Sequence, residues 1–84
     1  MNELKMLTQE EVAELLHAHI STITMMREIG VIKAIKTGRN FMFSVRAIVE
    51  FQEDYAGLDV SNLYKAIESK KIVDLRKFNE ERKE

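Results

Sequence analysis

The 84-residue sequence predicts a mostly α-helical fold with one small β-hairpin. Three observations carry this reading. Helix start and stop residues punctuate the chain: Thr8 with Glu11, Gly30, Ser44 and Gly57. Apolar residues between those marks recur at helical spacing. Thr37-Gly38-Arg39-Asn40, set between Ile35 and Phe41-Met42-Phe43, reads as a tight turn joining two short strands.

Residues 1–6 read as a short arm. The first helix opens at Thr8, an N-cap whose capping box is completed by Glu11, and Leu7 can staple against Val12. Val12, Ala13, Leu15 and Leu16 supply its apolar face, and it ends near His17. His17-Ala18-His19 is then the turn, with His19 either an N-cap or a phosphate contact and Ser21 the alternative cap. In the second helix Ile23 and Met26 face inward with Ala18 and Ile29. Ile20, Ser21, Thr24, Met25 and Glu28 project outward, Thr22 falls at the margin, and Gly30 stops the helix.

The hairpin runs out through Ile32, Ala34 and Ile35 and returns through Phe41, Met42 and Phe43. Phe41 and Phe43 stand two apart and so share one face, assigned to the core. Gly38 supplies the positive φ of the turn, and Arg39 lands at the tip. Ser44 caps a third helix from Val45 to about Ala56, with Ile48, Phe51 and Tyr55 inward and Arg46 in its first turn. Beyond Gly57, Asp59 or Ser61 is expected to cap a helix carrying Val60, Leu63, Tyr64 and Ile67. Ile72 and Val73 would interrupt it, Asp74 would cap a last helix with Leu75 and Phe78, and residues 79–84 would fray. Residues 1–57 thus read as one module. Residues 58–84 read as a helical extension that packs on it or self-associates through Leu63, Tyr64, Ile67, Leu75 and Phe78.

Composition narrows the function. With no cysteine there is no disulfide framework and no thiolate metal site. His17 and His19 have no third ligand nearby in sequence, so neither metal nor any other cofactor is expected. No nucleophile–base pairing or glycine-rich phosphate loop is present, and catalysis is not expected. No apolar run approaches the roughly 20 residues of a bilayer span and no signal-peptide pattern opens the chain, so a cytoplasmic protein without membrane contact is expected. Net charge is −1, yet Ile20 to Arg46 holds Arg27, Lys33, Lys36, Arg39 and Arg46 against the single acid Glu28. The acids Glu10, Glu11, Glu14, Glu50, Glu53 and Asp54 lie on the helices either side. The expected surface is polarised, with one basic side.

A short helix followed at once by a basic hairpin suits a DNA groove and the phosphates beside it, and the residues read as a small winged DNA-binding domain. From Leu7 to about Gln52 the sequence also resembles the excisionase-type, MerR-like helix-turn-helix family. Leu7-Thr8 with Glu11, Ala13 and Leu16 resembles that family's opening helix, and Ser21-Thr22-Ile23 through Gly30 its recognition helix and stop. Lys33-Ala34-Ile35-Lys36-Thr37-Gly38-Arg39 resembles its wing, and Ile48 and Phe51 its closing helix.

The resemblance implies a winged helix-turn-helix followed by C-terminal helices. It implies a partner in double-stranded DNA and a role as an excisionase or small transcription regulator of a phage or mobile element, with an integrase or recombinase as a further partner. Ser21, Thr24 and Met25 are the candidate base readers. His19, Thr22, Arg27, Lys33, Lys36, Arg39, Asn40 and Arg46 are the candidates for phosphate or minor groove, and a homodimer or a cooperative array on DNA is expected. The alternative is a protein-interaction module that uses the same scaffold and its C-terminal helices to hold a protein partner, a use to which the flexible pair Met25-Met26 is suited.

Overall fold

A computed structural model of the chain describes residues 4–82. Among them are four α-helices and three strands, in the order β1 (Met6–Thr8), α1 (Gln9–Leu15), α2 (Ile20–Ile29), β2 (Ile35–Thr37), β3 (Asn40–Ser44), α3 (Val45–Asp54) and α4 (Leu63–Arg82). The fold is mostly helical with a small antiparallel sheet ordered β1-β3-β2.

The capping box forms as the sequence requires. Glu11 N–H donates to Thr8 Oγ1 at 3.0 Å, and Thr8 N–H donates to the Glu11 carboxylate at 2.8 Å. Thr8 also ends β1, a strand that was not expected and that takes in only Met6 of the expected arm. Leu7 pairs with Phe43 and Thr8 with Met42, so the hairpin gains a third strand. A two-stranded ribbon is marginal in water, and β1 supplies the missing support on one edge of β3. Of the expected arm, residues 1–3 lie outside the described residues.

α1 ends on His17, whose φ of 55° is left-handed, with Ala18 N–H bonded to Ala13 O at 2.9 Å. α2 stops the same way at Gly30, where Gly30 N–H bonds Arg27 O and Val31 N–H bonds Met26 O at 2.8 Å. This paired bonding is a Schellman stop, and it folds Val31 back over Met26. Val31 and Ile32 are therefore core residues, 6% and 1% exposed, and not the first residues of the hairpin. The outgoing strand starts only at Ile35.

Gly38 and Arg39 form a two-residue turn between the paired Thr37 and Asn40. Gly38 has φ 74°, whereas Arg39 is not among the described residues of positive φ, as in a type II′ turn. Ser44 caps α3 by accepting Ala47 N–H at 3.0 Å.

The region beyond Gly57 differs from expectation. It holds one continuous 20-residue helix, not two. Ile72 and Val73 cost a helix only tenths of a kcal/mol each, and Val73 is 4% exposed in the core, which outweighs that cost. Asp74 caps nothing here; it pairs with Lys70 at 2.7 Å within the helix. Residues 79–82 continue the helix, and residues 83–84 of the tail expected to fray lie outside the described residues. The N-cap is Asn62, which accepts Lys65 N–H at 2.9 Å, while Asp59 turns the preceding loop by accepting from Ser61 N–H and Oγ. Those bonds from Ser61, with a further one from Lys65, hold the exposed Asp59 carboxyl near a pKa of about 2.

One buried cluster unites the chain: Val12 and Ala13, Ile23 and Met26, Val31 and Ile32, Phe43, Ile48 and Tyr55, then Ala66 and Val73 from α4. Ser69 Oγ donates to Asp59 O at 2.7 Å, and Lys77 bonds Asp54 at 2.7 Å, which raises the Lys77 pKa. Tyr55 lies beneath this seam, and burial, followed by Asp74 and Asp54, pushes its phenol up to about 12. Among the described residues no helix is long and apolar enough to cross a membrane.

Candidate functional site

The sheet register fixes which hairpin side chains can meet α2. Residues opposite one another point to the same face, so Leu7, Phe43, Phe41 and Lys36 share the face toward the helices. Phe43 is fully buried there. Phe41, two residues nearer the turn, is only half-buried, and Arg27 from α2 reaches across to it. The guanidinium carbon lies 3.7 Å from the ring centroid, and Lys36 Nζ lies 5.9 Å from it. Two cations thus approach one aromatic ring.

Gln9 completes the arrangement from the first turn of α1. Its amide nitrogen donates to Thr24 Oγ1 at 2.7 Å, and its oxygen accepts from Arg27 Nε at 3.4 Å. Gln9 therefore bridges two residues on one face of α2 and fixes both. A cleft of about 340 Å³ opens beside it, lined by Thr8, Gln9, Glu10, Arg27, Arg39, Asn40, Phe41 and Met42. Four expected site residues (Thr24, Arg27, Arg39 and Asn40) are thus gathered at or beside one depression, with Lys36 reaching the Phe41 ring in its wall. Two acids temper the charge: Glu10 in the lining, and Glu28, whose carboxylate is 4.0 Å from Arg27.

The remaining expected residues divide. At about 100° per residue, Ile20, Ser21, Arg27 and Glu28 all fall within roughly 60° of Thr24. Of these, Ile20, Ser21 and Glu28 are exposed. Met25 was expected to project outward but is half-buried and packs against the core from the flank. Thr22 lies roughly 200° from Thr24, in a groove with Leu16, Ala18, Leu58 and Val60, away from the cleft. His19 is exposed and stands at the N-cap of α2 without a side-chain capping bond.

Lys33 departs from the single basic side that was expected. It lines a separate groove with Glu50, Asp54, Asp74, Lys70 and Lys77, where acids answer the cations. Arg46 is exposed on the first turn of α3 and is not among the residues lining the cleft. Leu63, Tyr64, Ile67, Leu75 and Phe78 are all exposed on α4, far in sequence from this site.

Sequence reasoning missed Gln9 and Phe41 as site residues. Phe41 was assigned to the core by its two-residue spacing from Phe43, a signal that gives the face but not the depth. Gln9 had no sequence signal, because its partners lie 15 and 18 residues away.

Comparison with protein-family models, with curated proteins and with solved structures gives no match.

Proposed function

We propose that this chain is a sequence-specific double-stranded-DNA-binding protein of winged helix-turn-helix type, with α1 and α2 as the paired helices and the β2–β3 hairpin as the wing. The observation that carries this reading is the meeting of Arg27 from α2 with Phe41 and Lys36 from the hairpin, beside the exposed face of α2. It makes helix and hairpin one continuous surface bearing cations where they join.

In this reading α2 enters the major groove and the hairpin follows the backbone or minor groove. Ser21 and Thr24 read base edges, and Met25 offers its flank to a thymine methyl. Thr24 Oγ1 already accepts from Gln9. Its hydroxyl proton is therefore left to donate, which favours an acceptor such as guanine O6 or N7, or thymine O4. Arg27, Lys36, Arg39 and Asn40 hold phosphates, and Arg46 extends the contact along the backbone. Lys33 takes no part, because its groove supplies its own counter-charges.

The resemblance of residues 7–52 favours service to a mobile element, either in directing excision beside an integrase or in local transcription control. Footprinting on DNA flanking the gene tests the reading. A protected site of about one to two helical turns is expected. The absence of protection on that DNA and on a randomised duplex pool would overturn it.

A further inference from the structure

The polar contacts between α1 and α2 run in one direction. Gln9 is the first residue of α1, placed there by the capping box of Thr8 and Glu11. Its amide meets two residues one turn apart on α2, Arg27 and Thr24. A guanidinium carries donors and no acceptor, so the Gln9 atom facing Arg27 Nε must be the oxygen. The amide nitrogen is thereby turned to Thr24, and at 2.7 Å it makes the Thr24 hydroxyl an acceptor. Arg27 is held in turn by Phe41, whose ring centroid lies 3.7 Å from the guanidinium carbon. Among the described residues Thr24 Oγ1 has no hydrogen-bond partner but Gln9, and its own proton is unspent.

We propose that Gln9 is a positioning residue that decides which bases α2 selects, without touching a base itself. A threonine hydroxyl left to rotate donates or accepts as its partner requires, and so discriminates little. Pinned by Gln9 as a donor, the Thr24 hydroxyl selects a keto oxygen, guanine O6 or thymine O4. Adenine and cytosine present an amino group at the same place in the major groove and are refused. The inference rests on the DNA-binding reading and adds to it the residue that sets the polarity of one contact. An acid at position 9 reverses that polarity. A carboxylate only accepts, so Thr24 donates to it and turns its lone pairs to the base, which then favours the amino group.

Selection from a randomised duplex pool with the full chain, repeated with Thr24→Val, tests this. The valine removes the hydroxyl at nearly constant shape and marks the base pair that Thr24 reads. Fluorescence anisotropy then compares four duplexes that differ only there. Wild type should prefer the keto bases about fivefold. Gln9→Ala should level that preference and leave the other positions as they were, and Gln9→Glu should invert it. The added acid weakens binding to all four duplexes alike, so the ratio among them is the readout. An acid is favoured at the start of a helix, and circular dichroism should show the Gln9→Glu fold retained. If wild type binds no duplex, the DNA-binding reading falls and this assignment with it. If wild type binds and Thr24→Val changes no position, Thr24 is not a reader and the assignment fails. If Thr24→Val marks a base pair whose preference both Gln9 variants leave as in wild type, or alter no more than the rest of the site, the role of Gln9 alone is overturned.

Discussion

The Arg27 guanidinium lies over the ring of Phe41 at 3.7 Å, and this contact joins α2 to the hairpin. The Arg27 side chain is only 18% exposed, so the interaction is partly desolvated and stronger than a surface contact of the same geometry. Arg27 is thereby both a cation of the cleft and a strut between the two elements that form it.

A double-mutant cycle measures the strut. Arg27→Ala and Phe41→Ala should each lower unfolding stability, and the double variant should lose less than their sum. The coupling expected is about 1 kcal/mol, read from urea denaturation. A coupling indistinguishable from zero would mean that the ring and the cation are neighbours without an energetic link.

His17 makes a separate prediction about stability. Its φ of 55° is the left-handed conformation that closes α1, and the side chain is exposed. A non-glycine residue bears a cost of roughly 1–2 kcal/mol there, part of which glycine recovers against its larger unfolded-state entropy. His17→Gly should therefore raise stability by about 0.5–1 kcal/mol, measured as a higher denaturant midpoint at unchanged m-value. A lower midpoint would show that the imidazole makes a stabilising contact of its own.

Much of the fold could be read from single residues, because caps and stops act locally. Thr8 with Glu11, Gly30 and Ser44 each form the cap their chemistry required. β1 escaped notice because three residues are too few to show alternation, and Thr8 advertised a helix start instead. The continuity of α4 escaped because Ile72-Val73 looked like an interruption, when only the core position of Val73 decides the matter. At the site, the basic residues were visible in the sequence but their grouping was not. The Schellman stop at Gly30 turns the chain so that Lys33 falls beside Glu50 and Asp54, while Lys36, three residues on, falls beside Phe41. That separation depends on the path between elements, which residue spacing alone does not give.

Alkaline titration probes the seam beneath α4. The Tyr55 phenol is raised from its ordinary 10 to about 12, first by burial and then by Asp74 and Asp54. The folded chain therefore retains a proton that the unfolded chain gives up between those values. The stability this contributes is fully present below pH 10 and is lost as pH rises toward 12. In the Tyr64→Phe variant, which leaves Tyr55 as the one tyrosine, tyrosinate absorbance should appear with a midpoint near 12 or together with unfolding. A midpoint near 10 in a chain that is still folded would contradict the buried placement.

The central claim is that α2 and the hairpin form one DNA-binding surface from which Lys33 is excluded. Its most direct test is the salt dependence of binding to the footprinted duplex, measured by fluorescence anisotropy for wild type, Arg39→Ala and Lys33→Ala. Four phosphate contacts, by Arg27, Lys36, Arg39 and Arg46, give a log–log slope of about −3.6. Arg39→Ala should make the slope shallower by about 0.9, and Lys33→Ala should leave it unchanged. A flat salt response in the wild type, or an equal change for the two variants, would contradict the account.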